Sequence, residues 1–220
     1  MKVAILHLSD LHISKENSSW MLKKAEQIVP AVRNDFSECG KIIIVVSGDI
    51  GNAGTAEEYA YAKEFFRALL RTFASLGKAG WELENKIICV PGNHDCNFEN
   101  DTTARQLLLS SLRTKAASID NSVYQILSAV QDDYRAFAKE VLIDKGFTLG
   151  INNNILVNVG EKNILFRLYN TAWMSVKKEE QSSIVMPLNL IEQEHQDANF
   201  VISVFHHYYP WITQSCDNNN

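Results

Sequence analysis

Four short polar clusters each stand directly behind an apolar run in this chain of 220 residues. Ser9-Asp10-Leu11-His12 follows the first run, Ser47-Gly48-Asp49 the second, Gly92-Asn93-His94-Asp95 the third and His206-His207 the last. Carboxylates, imidazoles and an amide are the side chains that hold Mn, Fe or Zn through mixed oxygen and nitrogen ligation. The glycines suit that chemistry, because a residue without a Cβ lets the backbone turn sharply and bring its neighbour to an ion. Taken singly, Asp-x-His and Gly-Asp are ordinary loop residues that satisfy strand ends. Their recurrence behind successive strands is the signal, since ligands of open α/β sheets gather outside the carboxyl ends of the strands.

The elements that must position these clusters alternate between strand and helix. Residues 3–8, 42–46, 87–90 and 200–205 are short, nearly continuous apolar runs, which predicts strands buried on both faces. Residues 155–159 and 164–169 read as an antiparallel pair turning at Gly160. Leu22, Ala25, Ile28, Val29, Val32 and Phe36 share one helical face, with a kink expected at Pro30. Thr55-Ala56-Glu57-Glu58 is a capping box. Tyr59, Ala62, Phe66, Leu69, Phe73 and Leu76 then mark a helix face that stops at Gly77. Residues 102–118 and 122–145 predict two more helices, the second ending at Gly146, and Pro187 opens a short helix to about His195. Such alternation predicts a parallel sheet. With no repeat and no Gly/Ser/Pro-rich linker, residues 1–220 read as one domain.

At 46% hydrophobic and 21% charged residues, the composition excludes a disordered chain. A net charge of -5 and a pI near 5.7 argue against a broadly basic nucleic-acid surface. Bound divalent metals would still reverse the sign locally. Cys39, Cys89, Cys96 and Cys216 show no C-x-x-C spacing and read as reduced, intracellular cysteines. The N-terminal apolar run is too short for a signal peptide, and no run reaches the roughly 18 apolar residues of a membrane helix. A cytoplasmic protein with no membrane partner is expected.

In order along the chain, Asp10-x-His12, Gly48-Asp49 and Gly92-Asn93-His94-Asp95 resemble the motifs of the calcineurin-like metallophosphoesterase superfamily. The resemblance spans residues 1 to about 207. It implies an α/β fold of two packed mixed β-sheets flanked by helices, a four-layer sandwich, here with a helical insertion at about 101–145. It also implies a hydrolase that cleaves a phosphoester with hydroxide activated by two divalent ions, Mn being favoured over Fe or Zn. By that resemblance Asp10 and His12 bind the first metal, Asn93 and His206 bind the second, and Asp49 bridges both. His94, hydrogen-bonded to Asp95, would be the acid or electrostatic partner at the scissile phosphate, and Asn52 would buttress the site. The residue types suit the task, since two cations ~3.5–4 Å apart clamp the attacking and leaving oxygens of a displacement.

One part of the family pattern is missing. Its final Gly-His-x-His supplies an imidazole to each metal, and this chain contains no Gly-His pair. Either the 220 residues continue into further C-terminal domains of a longer protein, or the site is degenerate. The complete set of earlier carboxylates favours the first. His207 and His195 are candidates for the vacancy, set against a His207 on the opposite strand face and a His195 on a solvated helix end. His7 reads as a hydrogen-bonded core residue.

Residues 48–70, GDIGNAGTAEEYAYAKEFFRALL, are similar to the cyclic-nucleotide phosphodiesterase branch. A phosphodiester is therefore the expected substrate, with a nucleotide or nucleic acid as candidate partner. A DNA or RNA nuclease built on the same metal core is one alternative; a metal-free interaction module is another. The insertion is placed either to wall the site or to cover the sheet through Leu107, Leu112, Val130 and Phe137. Tyr208-Tyr209-Pro210-Trp211 would either stack on a nucleobase or pack against neighbouring loops.

Overall fold

Parallel pairing in the first half of the chain decides where the polar clusters go. A computed structural model describes residues 1–76, 82–83, 87–113, 119–141, 150–191 and 197–214. Strand β1 (Val3–Leu8) pairs in parallel with β2 (Lys41–Ser47), and so does β4 (Ile88–Val90) on the other side of β2. A two-residue β3 (Glu82–Leu83) also joins β2. Leu8 opposes Val46 and Ser47 opposes Val90, so β1, β2 and β4 all end on one edge. The clusters at Asp10, Asp49 and Asn93 follow those ends directly.

The sequence of β2, KIIIVVS, is β-branched almost throughout and suits a central strand. Its residues Ile42 to Val46 are buried on both faces, as the continuous run predicts. They share one core with α1 (Ser18–Val32), α2 (Ala56–Leu76), α5 (Asp132–Val141) and a second sheet. That sheet runs β5 (Asn152–Val159), β6 (Lys162–Tyr169) and β8 (Phe200–Val204). β5 and β6 form the expected antiparallel hairpin, whereas β8 joins β6 in parallel with Val204 opposite Leu168. Ile155, Val157, Phe166, Leu168 and Val204 meet β2 in the core, so two sheets pack face to face in an α/β sandwich. β7 (Ile184–Met186) and β9 (Ile212–Gln214) make a separate parallel pair.

Burial on both faces does not extend to β1 and β8. Both lie at sheet edges, β1 alternates, and Ile5, Phe200 and Val201 are exposed. His7, on the outward face of β1, is exposed and hydrogen-bonded to Ser47 Oγ at 2.8 Å; it is not a core residue.

Helix α1 runs through Pro30, which falls in its last turn where only one helical N–H is forfeited. Phe36 lies beyond the helix, in a turn whose N–H reaches Val32 O at 3.0 Å. The capping box at the start of α2 is present: Glu58 N–H donates to Thr55 Oγ1 at 3.4 Å and Thr55 N–H to Glu58 Oε2 at 3.3 Å. Tyr59, Ala62, Phe66, Leu69 and Phe73 are all buried.

The insertion divides into parts with different jobs. The expected helix over 102–118 is α3 (Thr103–Arg113), and residues 114–118 lie outside the described residues. The expected helix over 122–145 is broken into α4 (Asn121–Leu127), a 3-10 turn at Ser128–Gln131 and α5. Ser128 Oγ donates back to Tyr124 O at 2.7 Å, the type of local bond that competes with helix continuation. Phe137 of α5 stacks on Tyr59 at 5.0 Å, so α5 belongs to the main core. α3 and α4 form a smaller core with Trp173. Only a 3-10 turn, Leu188–Leu190, follows Pro187; the reach to His195, like Gly77, Gly146 and Cys216, lies outside the described residues. No helix among the described residues is long and apolar enough to cross a membrane.

Cys89 and Cys96 are each 1% exposed. Burial pushes the Cys89 thiol up to about 12 and the Cys96 thiol higher still, so neither forms a reactive thiolate at neutral pH. Iodoacetamide at pH 8 is expected to label Cys39 in the native protein, and Cys89 and Cys96 only in denaturant. Peptide mass spectrometry reads this out, and rapid native labelling of Cys96 would contradict the packing of the loop behind β4.

Candidate metal centre

Four described non-glycine residues have positive φ, and three of them are Asp10 (φ 54), His12 (φ 44) and Asp49 (φ 54). A left-handed conformation costs an L-residue roughly 1–2 kcal/mol. It persists here because the loops after β1 and β2 are zipped together. Asp10 N–H donates to Gly48 O at 3.2 Å, His12 N–H to Asp49 O at 3.0 Å and Ile13 N–H to Ile50 O at 2.9 Å. Asn17 clamps the same loop, with Nδ2 donating to His12 O and Oδ1 accepting from Ser14 N–H. The strain aims both side chains of the Asp-x-His at the end of β2.

Close approach explains two of the glycines. A Cβ on Gly92 would lie 2.1 Å from Asp49 Oδ1, and one on Gly48 would lie 2.6 Å from the His206 Nδ1. Without those atoms the third loop reaches over Asp49, whose Oδ1 accepts from His94 N–H at 2.9 Å. Asp49 Oδ2 faces His206 Nε2 at 3.4 Å and His12 Nε2 at 3.8 Å. Asn93 Oδ1 lies 3.2 Å from the same His206 nitrogen. Donor atoms of Asp10, Asp49 and His206 fall within 4.8 Å of one another, and so do those of His12, Asp49 and His94. Asp49 is common to both groups.

Asp49 is 3% exposed. Burial raises its pKa, but the hydrogen bond and charge of His206, with the His94 N–H, outweigh that and hold it below the usual carboxylate range. Burial works against protonation of His206, yet Asp49, the Ser47 carbonyl and Asp10 lift its pKa to about 9. His206 Nδ1 donates to Ser47 O at 2.9 Å, which turns Nε2 to the centre. His12 turns Nε2 toward Asp49, and its Nδ1 is buried without a hydrogen-bond partner. The mixed oxygen and nitrogen donor set and the shared buried carboxylate fit divalent cations.

Asp95 does something other than expected. Its carboxylate makes no hydrogen bond to His94. It accepts from Ile50 N–H (3.1 Å), Gly51 N–H (2.9 Å), Gly92 N–H (2.9 Å) and the Tyr59 hydroxyl (2.9 Å). Fully buried, it ties the loops behind β2 and β4 together. Burial raises its pKa to about 6, against the pull of those N–H groups and with Asp49 adding to the rise. His94 is oriented by Asn52 instead: Nδ1 donates to the Asn52 carbonyl at 2.7 Å, leaving Nε2 open in an exposed ring. Asn52 thus contributes its backbone, and its side chain is exposed.

His207 does not fill the vacancy. Both ring nitrogens are committed, Nδ1 to Thr171 Oγ1 at 3.0 Å and Nε2 to Glu179 Oε2 at 2.8 Å. Glu179 was hidden in the sequence, because Lys177-Lys178-Glu179-Glu180 reads as a solvated charge run. His195 lies outside the described residues. The ligand groups open into a cleft of about 490 Å³ lined further by Val176, Lys177, Tyr208, Trp211 and the Glu179–His207 pair. No described residue of the insertion lines it; α5 packs into the main core and α3 and α4 into the smaller one, with Leu112, Val130 and Phe137 buried but Leu107 exposed and covering nothing.

The family profile described as calcineurin-like phosphoesterase matches residues 3–218. The chain belongs to that family. No curated protein matches it significantly. This phosphoesterase is a hydrolase acting on phosphoesters, and membership implies divalent metal ions for which the His and Asp groups above are candidates.

Two outcomes follow for the chelated protein. Asp95→Ala leaves buried N–H groups of two loops unpaired, each costing about 1–3 kcal/mol. Urea unfolding in EDTA should show a loss of at least ~3 kcal/mol, and a loss below ~1 kcal/mol would mean Asp95 does not tie the loops. The Asp49–His206 pair also has a pH signature. The raised pKa of His206 gives stability that is full below 6.5 and lost as pH climbs through about 9. The lowered pKa of Asp49 gives stability that is present above 3.8 and lost as pH falls below it. The stability gap between wild type and His206→Gln should therefore be widest between those limits, from 3.8 to 6.5, and narrow by pH 9.

Proposed function

We propose that this phosphoesterase hydrolyses a phosphodiester at a dinuclear centre, with Asp49 bridging two cations and Mn as the favoured metal. The observation that carries the reading is the sharing of Asp49 by two ligand groups. The resemblance assigns Asp10 and His12 to one cation and Asn93 and His206 to the other, whereas the donor atoms themselves group Asp10 with His206 and His12 with His94 around Asp49. Divalent cations held there would polarise phosphoryl oxygens and lower the pKa of water.

The remaining work falls to the chain's own groups. His94 presents Nε2 to the cleft while Nδ1–H is held by the Asn52 carbonyl, which supports a role for the imidazolium form: it gives its Nε2 proton to the leaving oxygen as the P–O bond breaks and is left as the neutral ring with Nδ1–H on Asn52. Its ring also packs edge-on to His12 at 4.5 Å, close enough for the alternative role of ligand. Exposure and orientation favour the proton donor. Asp95 and Tyr59 hold the loop that carries Asn93 and His94.

Purified protein supplemented with Mn should hydrolyse an aryl phosphodiester, and Asp49→Asn should lower kcat at least a thousandfold, the scale of losing ~4 kcal/mol of transition-state stabilisation. Activity surviving that change would rule out the bridge. His94→Asn should cut kcat about 100-fold or more while metal content, measured by mass spectrometry of the protein-bound ions, stays the same. A fall in metal content would make His94 a ligand instead.

A further inference from the structure

The cleft has one wall that the candidate ligands leave unused. It is built from the loop after β6, which brings Val176 and Lys177, and the loop after β8, which brings Tyr208 and Trp211. The structure divides the Tyr-Tyr-Pro-Trp stretch in two. Tyr209 leaves the cleft, lying 5.6 Å from the Phe205 ring and lining a neighbouring cavity. Tyr208 and Trp211 stay with the candidate metal ligands. Tyr208 is 57% exposed, a large ring presented to solvent inside a polar cleft.

The backbone under these rings is braced. Trp211 N–H closes a turn on Tyr208 O at 3.0 Å, and Ser182 N–H and Oγ both donate to Pro210 O, at 3.0 and 3.2 Å. The His207–Glu179 bond joins the two loops again, and the Trp211 ring lies 6.3 Å from the His207 ring. An exposed Tyr208 beside a half-buried Trp211, both on a fixed backbone, loses little conformational entropy when a flat group stacks on it. Every nucleobase or aryl group offers such a face. Lys177, exposed on the other loop, adds a cation beside a centre rich in carboxylates. The volume of about 490 Å³ falls within the range of small-molecule sites, roughly 300–1,000 Å³.

We propose that Tyr208 and Trp211 form a stacking platform for a flat aromatic group on the phosphoester, with Lys177 attracting its anionic part. The platform selects nucleotide-like or aryl phosphoesters over purely aliphatic ones. The inference rests on the phosphoesterase reading of the adjacent centre, but it is tested by binding.

The test titrates the full chain in Mn-containing buffer with adenosine 5'-phosphate, phenyl phosphate and ribose 5-phosphate, following tryptophan fluorescence. Wild type should bind adenosine 5'-phosphate about tenfold more tightly than ribose 5-phosphate, in keeping with one stacked base. Tyr208→Leu should erase most of that preference while ribose 5-phosphate binding changes less than about twofold, and Tyr208→Phe should restore it. Phenyl phosphate grouping with the adenosine ligand identifies a platform for any ring; phenyl phosphate grouping with the sugar identifies one for a base. Equal binding of all three by wild type, or a preference that survives Tyr208→Leu, overturns the platform. Asp49→Asn separates the two readings: it should abolish hydrolysis and keep the ring preference.

Discussion

The contact between Gly92 and Asp49 is the constraint on which the site depends. A methyl group in place of the glycine hydrogen would sit 2.1 Å from the Asp49 oxygen, well inside van der Waals contact. Because it is absent, the third loop closes over the second, and the His94 N–H caps one oxygen of Asp49 at 2.9 Å. The other oxygen is left facing His12 and His206. A carboxylate with one oxygen fixed and one oxygen free is oriented before any ligand arrives, which is the preorganisation an electrostatic catalyst needs.

Around that contact the three loops behave as one body. The first is zipped to the second through backbone bonds at Asp10, His12 and Ile13. The second is tied to the third through Asp95, whose carboxylate collects N–H groups from Ile50, Gly51 and Gly92. The left-handed conformations of Asp10, His12 and Asp49 are affordable only inside this framework. His206 arrives from the other sheet and is pinned by the Ser47 carbonyl. Two sheets and four loops therefore meet at one buried carboxylate.

The electrostatics of the centre follow from the same packing. Asp49 and His206 hold opposite charges at close range, each shifting the other toward its ionised form despite burial. A cation entering the centre competes with the imidazolium proton, as metal binding at histidine generally does. Nearby, Glu179 and His207 form a second buried acid–imidazole pair that holds loops and offers no free nitrogen.

Much of this was legible in the residues themselves. Apolar runs of the right length marked the strands, and polar clusters behind them marked Asp10, His12, Asp49, Asn93, His94 and His206, because strand ends are local features and chemistry-bearing types stand out there. The capping box of α2 was equally local. Partnerships between distant segments were not legible. Nothing near Asp95 in the chain says that its oxygens are taken by Ile50 and Gly51, and nothing near His94 names the Asn52 carbonyl. Glu179 looked like one of four solvated charges until folding buried it on His207. Edge strands were misread for the same reason, since a run of apolar residues does not state how many neighbours will cover it. Sequence by itself determined which side chains stand at each strand tip; only the tertiary structure decided which atoms they touch, because hydrogen bonds and exclusion by a missing Cβ act across space and leave no trace in spacing.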